Sequence, residues 1–209
     1  TPVLYGMSTS VADMRRCTNL SGAVEIGLIG AALAQIAKYY ELPSSYAVGP
    51  DSPVPDAQAS IEVATASMPG ILAGIDNLIL ACNQRTTFWY EQRIIDDTAM
   101  GLMKRVLKGI EVSDETLAID LIHEVGPGGG FLNKRHTLLH YEREHTIPRL
   151  FARIPWEEWE KAGSKDIARR ANEKAREILK THQVPPLDRD IREEMRRLVA
   201  QAEKHVPAG

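Results

Sequence analysis

Asn77-Leu78-Ile79-Leu80-Ala81 decides the fold class. It is an unbroken apolar run, too short for a helix, of the kind presented by parallel strands buried on both faces. Working outward, the same pattern recurs upstream. Ser45-Tyr46-Ala47-Val48 is a second short strand stopped by Gly49-Pro50, and Val3-Leu4 begin a third. A small-residue helix from Ala23 to Tyr40 separates the first two strands, and Pro43 ends it. A helix from about Asp56 to Ile75 separates the next two. Strand alternates with helix three times, which means parallel βα units with helices outside the sheet. Two architectures fit: a doubly wound sheet, or part of a (β/α)₈ barrel. A closed barrel needs eight strands and about 250 residues, so three strands cannot close one.

Downstream the reading is helical. A helix runs from Tyr90 to about Lys108, with Gly109 as its cap. Ser113 caps a helix to Val125. From Lys134 onward helices dominate, broken at Pro148, Pro155, Gly163 and Pro185-Pro186, with Ser164 as the expected cap of a helix to Thr181. The expected division is βα units over residues 1–130 and a helical extension, packed on them, over residues 131–209. The abrupt start at Thr1 without methionine reads as a missing natural beginning.

Composition bounds the function. With 44% hydrophobic residues and a net charge of −3, the chain is ordinary globular material. It has no membrane-length apolar run and no signal peptide. Cys17 and Cys82 have no metal-ligand spacing and form no disulfide framework, so a reducing cytoplasm is expected. Residues 1–130 hold 8 Lys+Arg against 15 Asp+Glu, and residues 131–209 hold 17 against 13. The later basic excess is interleaved with acids, which favours ion-paired helix faces over nucleic-acid binding. No Gly-x-Gly-x-x-Gly, P-loop or nucleophile elbow is present.

In parallel βα folds ligands bind at the C-terminal ends of the strands. That rule selects Tyr5-Gly6-Met7-Ser8, Gly49-Pro50-Asp51-Ser52 and Cys82-Asn83-Gln84-Arg85. The second is the richest, since Asp51, Asp56 and Gln58 crowd a loop stiffened by Pro50, Pro53 and Pro55. Asp56 also suits a plain helix cap, and Asp51 a turn. Phe88-Trp89-Tyr90 is an aromatic triplet in a chain of twelve aromatics. Cages of such rings hold quaternary ammonium groups, but consecutive residues cannot all face one ligand, so packing is the simpler reading. Glu124-Val125-Gly126-Pro127-Gly128-Gly129-Gly130-Phe131 with His136 behind it is either a loop that closes on a ligand or a packed corner. His136 and His140 share a helix face near His145, Glu142 and Glu144, but without a His-Glu-x-x-His pattern no metal site is expected.

Taken in order, several segments resemble the trimethylamine methyltransferase family, and in particular its pyrrolysine-free, glycine betaine-type members. They are Asp13-Met14-Arg15 with Gly22 and Glu25, Asp51 to Ala59, Ala73 to Ile79, Asp96-Asp97, Gly109-Ile110, Leu117-Ala118, Glu124 to Leu132, His136-Thr137, and Trp159 with Gly163, Lys165-Asp166 and Arg170-Ala171. The resemblance implies the C-terminal part of a (β/α)₈ barrel followed by a helical tail. It implies transfer of a methyl group from a methylated amine to the Co(I) of a corrinoid held by a separate small protein, with no cofactor bound tightly by this chain, and a homo-oligomer. Pro53 stands where trimethylamine enzymes carry pyrrolysine, which makes a quaternary amine the expected substrate. Tyr5, Asp51, Asp56, Gln58 and Asn83 are then the substrate-side candidates. Glu124, Gly126, Gly128, Gly129, Phe131 and His136 are the candidates for the rim that meets the corrinoid. Ser60, where members often have glycine, and a short Cys82–Tyr90 loop depart from the family pattern. They motivate an alternative, a diverged barrel that binds a small amine or a partner without turnover.

Overall fold

The computed structural model describes residues 3–7, 10–80 and 87–203. Its strands are β1 (Tyr5–Met7), β2 (Val11–Asp13), β3 (Thr18–Leu20), β4 (Ser44–Val48) and β5 (Asn77–Leu80). Helices α1 (Val24–Tyr39) and α2 (Ala57–Ala73) alternate with them. β1, β4 and β5 form one sheet in that order, all parallel, with Tyr5 opposite Ser44 and Ser45 opposite Asn77. Both crossovers step the same way along the sheet, so no reversal of strand order occurs among the described strands.

Successive residues of a strand face opposite sides, and the two faces differ here. Tyr46 and Val48 point to α1 and α2 and form a core with Ile26 and Ala66. The other face carries Gly6, Ser45, Ala47, Asn77 and Ile79. Ile79 is 51% exposed, and the Asn77 amide donates to Ser45 Oγ at 3.1 Å.

Tyr46 is the centre of the covered side. Its ring is 1% exposed and lies between Gly30 of α1 and Gly70 of α2. A Cβ at either glycine would stand 2.6 Å or less from the ring or its hydroxyl. Glycine at both positions therefore lets the helices close on the ring. The hydroxyl donates to the carbonyls of Ala66 at 2.9 Å and Ser67 at 3.0 Å, and burial pushes its pKa up to about 12.

At the start of the strands, Asp76 accepts from the backbone N–H and hydroxyl of Ser44, both at 2.8 Å. Lys38 donates to the Ala73 carbonyl at 2.8 Å, tying the end of α1 to the end of α2. Those hydrogen bonds, the Ser44 N–H first, hold the Asp76 carboxyl below its ordinary pKa.

The β2–β3 hairpin was not anticipated. Its strands have three residues each, too few for a period to register. Its turn is built without glycine: Asp13 accepts from the Arg15 N–H at 2.9 Å, and Cys17 takes the positive φ of 53°.

The remaining helices are α3 (Tyr90–Lys108), α4 (Asp114–Leu117), α5 (Ile119–Val125), α6 (Arg135–Glu144), α7 (Trp156–Lys161), α8 (Ile167–Thr181) and α9 (Arg189–Glu203). Ser113 does cap its helix, accepting from Thr116 N–H while the Thr116 hydroxyl accepts in return. The single helix expected to Val125 is instead two, because Ala118 adopts a left-handed φ of 49° and breaks the ladder. Ser164 is not the cap of α8. It sits at φ 51° before the helix, and Asp166 accepts from the Arg169 N–H at 2.7 Å.

The chain divides into two compact units, Thr1–Ala175 and Arg176–Gly209. A second core in the first unit joins Ile95 of α3 to Leu150 and Ala171. In the second unit α9 presents Ile191, Met195 and Leu198 at helical spacing, each about half exposed. No helix among the described residues is long and apolar enough to cross a membrane.

Candidate functional site

The exit of β4 and the entries of α1 and α2 meet in one bracket at the C-terminal ends of the strands. Asp51 accepts from the backbone N–H of Ser21 at 2.7 Å with one carboxylate oxygen and from that of Gly22 at 2.9 Å with the other. α1 has no side-chain cap of its own, so Asp51 serves the approach to it from another loop. The N–H groups of Asp51 and Ser52 in turn donate to one oxygen of Glu62, at 2.7 and 3.0 Å. Gln58 donates to its other oxygen at 2.7 Å. Gly22 approaches Glu62 so closely that a Cβ there would lie 2.8 Å from the Glu62 Cβ.

Asp56 is the cap of α2. It accepts from the Ala59 N–H at 2.9 Å and the buried Ser52 hydroxyl at 3.0 Å, and the first of these bonds leads in holding its carboxyl below the ordinary pKa. The plain-cap reading of Asp56 is thus realised in its geometry. Asp51 does more than turn the chain, since it staples two loops.

Beside this bracket lies an open groove of about 760 Å³. Asp51, Gln58 and Glu62 line one side, and Asp13, Arg15 and Arg16 of the hairpin line the other. Arg15 pairs with Asp13 at 3.1 Å, which lowers the Asp13 carboxyl through that hydrogen bond. Glu62 and the hairpin were missed from sequence. Glu62 sits mid-helix with nothing local to mark it; only the fold brings it to Asp51.

The glycine-rich stretch is a compact corner between α5 and α6. Gly126 and Gly128 take positive φ of 67° and 79°. A Cβ on Gly129 would meet the Val125 carbonyl at 2.4 Å. Lys134 pairs with Glu124 across the corner at 2.7 Å, and the Thr137 hydroxyl donates to the Phe131 carbonyl at 2.7 Å. His136 Nε2 lies 2.9 Å from the Glu115 carbonyl, and His140 Nε2 lies 3.1 Å from the Glu115 carboxylate. The two imidazoles stack at 4.2 Å. Glu124, Gly126, Gly128, Gly129, Phe131 and His136 therefore belong to one local assembly. Asp51, Asp56 and Gln58 belong to another. No group of three His, Cys, Asp or Glu that could hold a metal occurs among the described residues.

Tyr5 stands apart from both. It begins β1 opposite Ser44, and its ring lies 6.2 Å from Tyr40, at the other end of the sheet from Asp51. Asn83 lies outside the described residues, as do Cys82 and Ser8. The aromatic triplet splits. Phe88 and Tyr90 meet edge to face at 5.3 Å, while the Trp89 indole donates to the Pro53 carbonyl at 2.9 Å.

A sequence profile described as trimethylamine methyltransferase matches residues 1–207. A trimethylamine methyltransferase of Desulfitobacterium hafniense (strain DCB-2) is 40% identical over 206 residues, covering 97% of this chain and 41% of the relative. One from Methanosarcina barkeri (strain Fusaro) is 40% identical over 208 residues, with the same coverage. A glycine betaine methyltransferase of Desulfitobacterium hafniense (strain Y51) is 33% identical over 210 residues, covering 99% of this chain and 44% of the relative. The chain thus spans about two fifths of the length of these curated relatives.

Proposed function

Because the chain belongs to the trimethylamine methyltransferase family, we propose that it forms the C-terminal part of an enzyme that transfers a methyl group from a methylated amine to the Co(I) corrinoid of a partner protein. The proposed frame is a (β/α)₈ barrel completed by βα units outside this chain. Two features support it. The parallel strands follow one another without reversal. The sheet face opposite α1 and α2 carries the half-exposed Ile79, which a closed barrel would enclose.

The observation that carries the site assignment is the Asp51–Glu62 bracket at the C-terminal strand ends, beside the groove. In this fold that end carries the chemistry. Asp51 and Gln58 would shape the substrate end there. Their bonds to backbone and to Glu62 make them holders of the loops rather than proton-transfer groups. That suits the reaction. Co(I) attacks the methyl carbon, the carbon–nitrogen bond breaks, and a quaternary amine leaves as a neutral tertiary amine. No proton is needed, and the protein's work is alignment and exclusion of water. Pro53, with its carbonyl held by Trp89, occupies the position the resemblance gives to pyrrolysine. A quaternary substrate fits a site lacking that residue. The Gly126–Gly130 corner with Glu124, Phe131 and His136 would form part of the rim that meets the corrinoid protein.

The test is methylation of Co(I) corrinoid protein by the full-length enzyme, followed by the change in corrinoid absorbance. Methyl transfer is expected from a quaternary amine such as a betaine. No transfer from any methylated amine would overturn the assignment. Saturable betaine binding without transfer would favour a diverged, non-catalytic barrel, the reading motivated by Ser60 and the Cys82–Tyr90 loop.

A further inference from the structure

Three polar residues on α3 play no part in the site above. Gln92 and Asp96 are 0% and 1% exposed, on a face shared with buried Ile95 and Met103. Asp96 pairs with an Arg93 guanidinium nitrogen at 2.8 Å and accepts from the Gln92 amide at 2.7 Å. The other terminal nitrogen of Arg93 donates to the carbonyl of Leu80, the last residue of β5, at 2.9 Å. The guanidinium carbon also lies 5.9 Å from the centre of the Phe88 ring. One guanidinium therefore touches the end of a strand, the approach to the next helix and the first turns of that helix.

Stability does not account for this arrangement. Asp96 gives up its hydration while Arg93 keeps 20% of its side chain exposed, and well-packed apolar residues of similar volume hold a helix as well as or better than a carboxylate so buried. Burial raises the pKa of the Asp96 carboxyl even with Arg93 beside it. Gln92 Oε1 is buried with no hydrogen-bond partner among the described residues. What apolar side chains cannot do is grip a carbonyl. One terminal nitrogen of the planar guanidinium hydrogen-bonds the strand-end carbonyl while the other faces the Asp96 carboxylate as an ion pair, a division of labour the rigid fork allows.

We propose that Arg93, aimed by buried Asp96 and Gln92, is a positioning residue that fixes the C-terminal end of β5, one wall of the methyl-transfer site. The site's chemistry rests on the function proposed above; the clamp does not. Asp96 enters the core for alignment of the strand end, at a cost in stability.

The experiment compares full-length wild type with three variants: Asp96→Asn, Arg93→Lys, and Arg93→Met combined with Asp96→Leu. Urea stability, peptide-level amide exchange over residues 77–93, and kcat and KM for the amine are measured. Asp96→Asn should lose stability. The apolar double variant should regain it, yet exchange at the strand end should stay about tenfold or more faster than in wild type. Its kcat/KM should fall by about 10²-fold, the effect of misplacing a reacting group by about 1 Å. Arg93→Lys keeps the charge pair but not the fork, so it should fold normally and exchange fast at the same place. Wild-type exchange at the strand end in either the double variant or Arg93→Lys overturns the proposal. If wild type transfers no methyl group, the function falls, and exchange still decides the clamp.

Discussion

Replacing Gly70 by alanine should destabilise the fold, although alanine is the better helix former. The added Cβ would lie 2.4 Å from the Tyr46 hydroxyl and 2.5 Å from Cε1. The ring cannot retreat, because a Cβ at Gly30 on its other side would already lie 2.6 Å from Cζ. Three terms decide the result. Helix propensity returns about 0.8–1.0 kcal/mol. Overpacking a full core costs about 1–3 kcal/mol. Pushing the hydroxyl off the Ala66 and Ser67 carbonyls costs about 0.5–1.5 kcal/mol more. The net is a loss of about 2 kcal/mol, read as a lower midpoint at unchanged slope in urea titration followed by far-UV circular dichroism. Two controls isolate the ring. Gly101→Ala in α3, where a Cβ meets nothing within 4 Å, should be neutral or stabilising. In a Tyr46→Leu background, Gly70→Ala should lose most of its cost. A Gly70→Ala protein as stable as wild type would refute the packing argument.

Tyr46 titrates at about 12 when folded against 10.0 unfolded, so its neutral form belongs to the native state. Its contribution is complete below pH 10 and is lost as pH rises from 10 to 12, about 2.7 kcal/mol for a shift of about two units. Thermal scans should show a steeper alkaline decline in wild type than in Tyr46→Phe; parallel curves would exclude a special role for this hydroxyl. Asp51→Ala strands the N–H groups of Ser21 and Gly22 and should cost about 1–3 kcal/mol in urea unfolding. Asp51→Asn keeps one carbonyl acceptor and should lose less. Equal, negligible losses in both would mean that the staple is not structural.

β1 forms at Tyr5–Met7, just past the Val3-Leu4 run that announced it. β4 and β5 were legible because each is a short, largely apolar run ended by polar or small residues, and that signal is local. Asp56 was legible as a cap for the same reason, since its partner Ala59 is three residues away. What failed was whatever depends on distance in sequence or on unusual backbone. Cys17, Ala118 and Ser164 take left-handed conformations that no glycine announces. The hairpin, the split helix and the displaced cap each follow from one of them. Asp51 could be read as a turn residue or a substrate-side group, because the donors to its carboxylate lie 29 and 30 residues upstream. Arg93 and Asp96 lie three apart on α3, and nothing local in the sequence marks them as a pair. Only the fold reveals that Asp96 is 1% exposed.

The two ends of the sheet are held by similar devices with different consequences. At the N-terminal end, Asp76 ties β4 to the start of β5, and Lys38 ties α1 to α2. A change there moves only the floor of the sheet, so its effect should appear in stability. At the C-terminal end, Asp51 and Glu62 hold the exit of β4, and Arg93 holds the exit of β5. A reaction that joins two separately bound partners through one methyl group is sensitive to displacements of about 1 Å. On the proposed function, ties at this end set the approach of amine to cobalt. Loosening them then lowers turnover even where another substitution has restored the stability, and that separation of turnover from stability is what the clamp experiment measures.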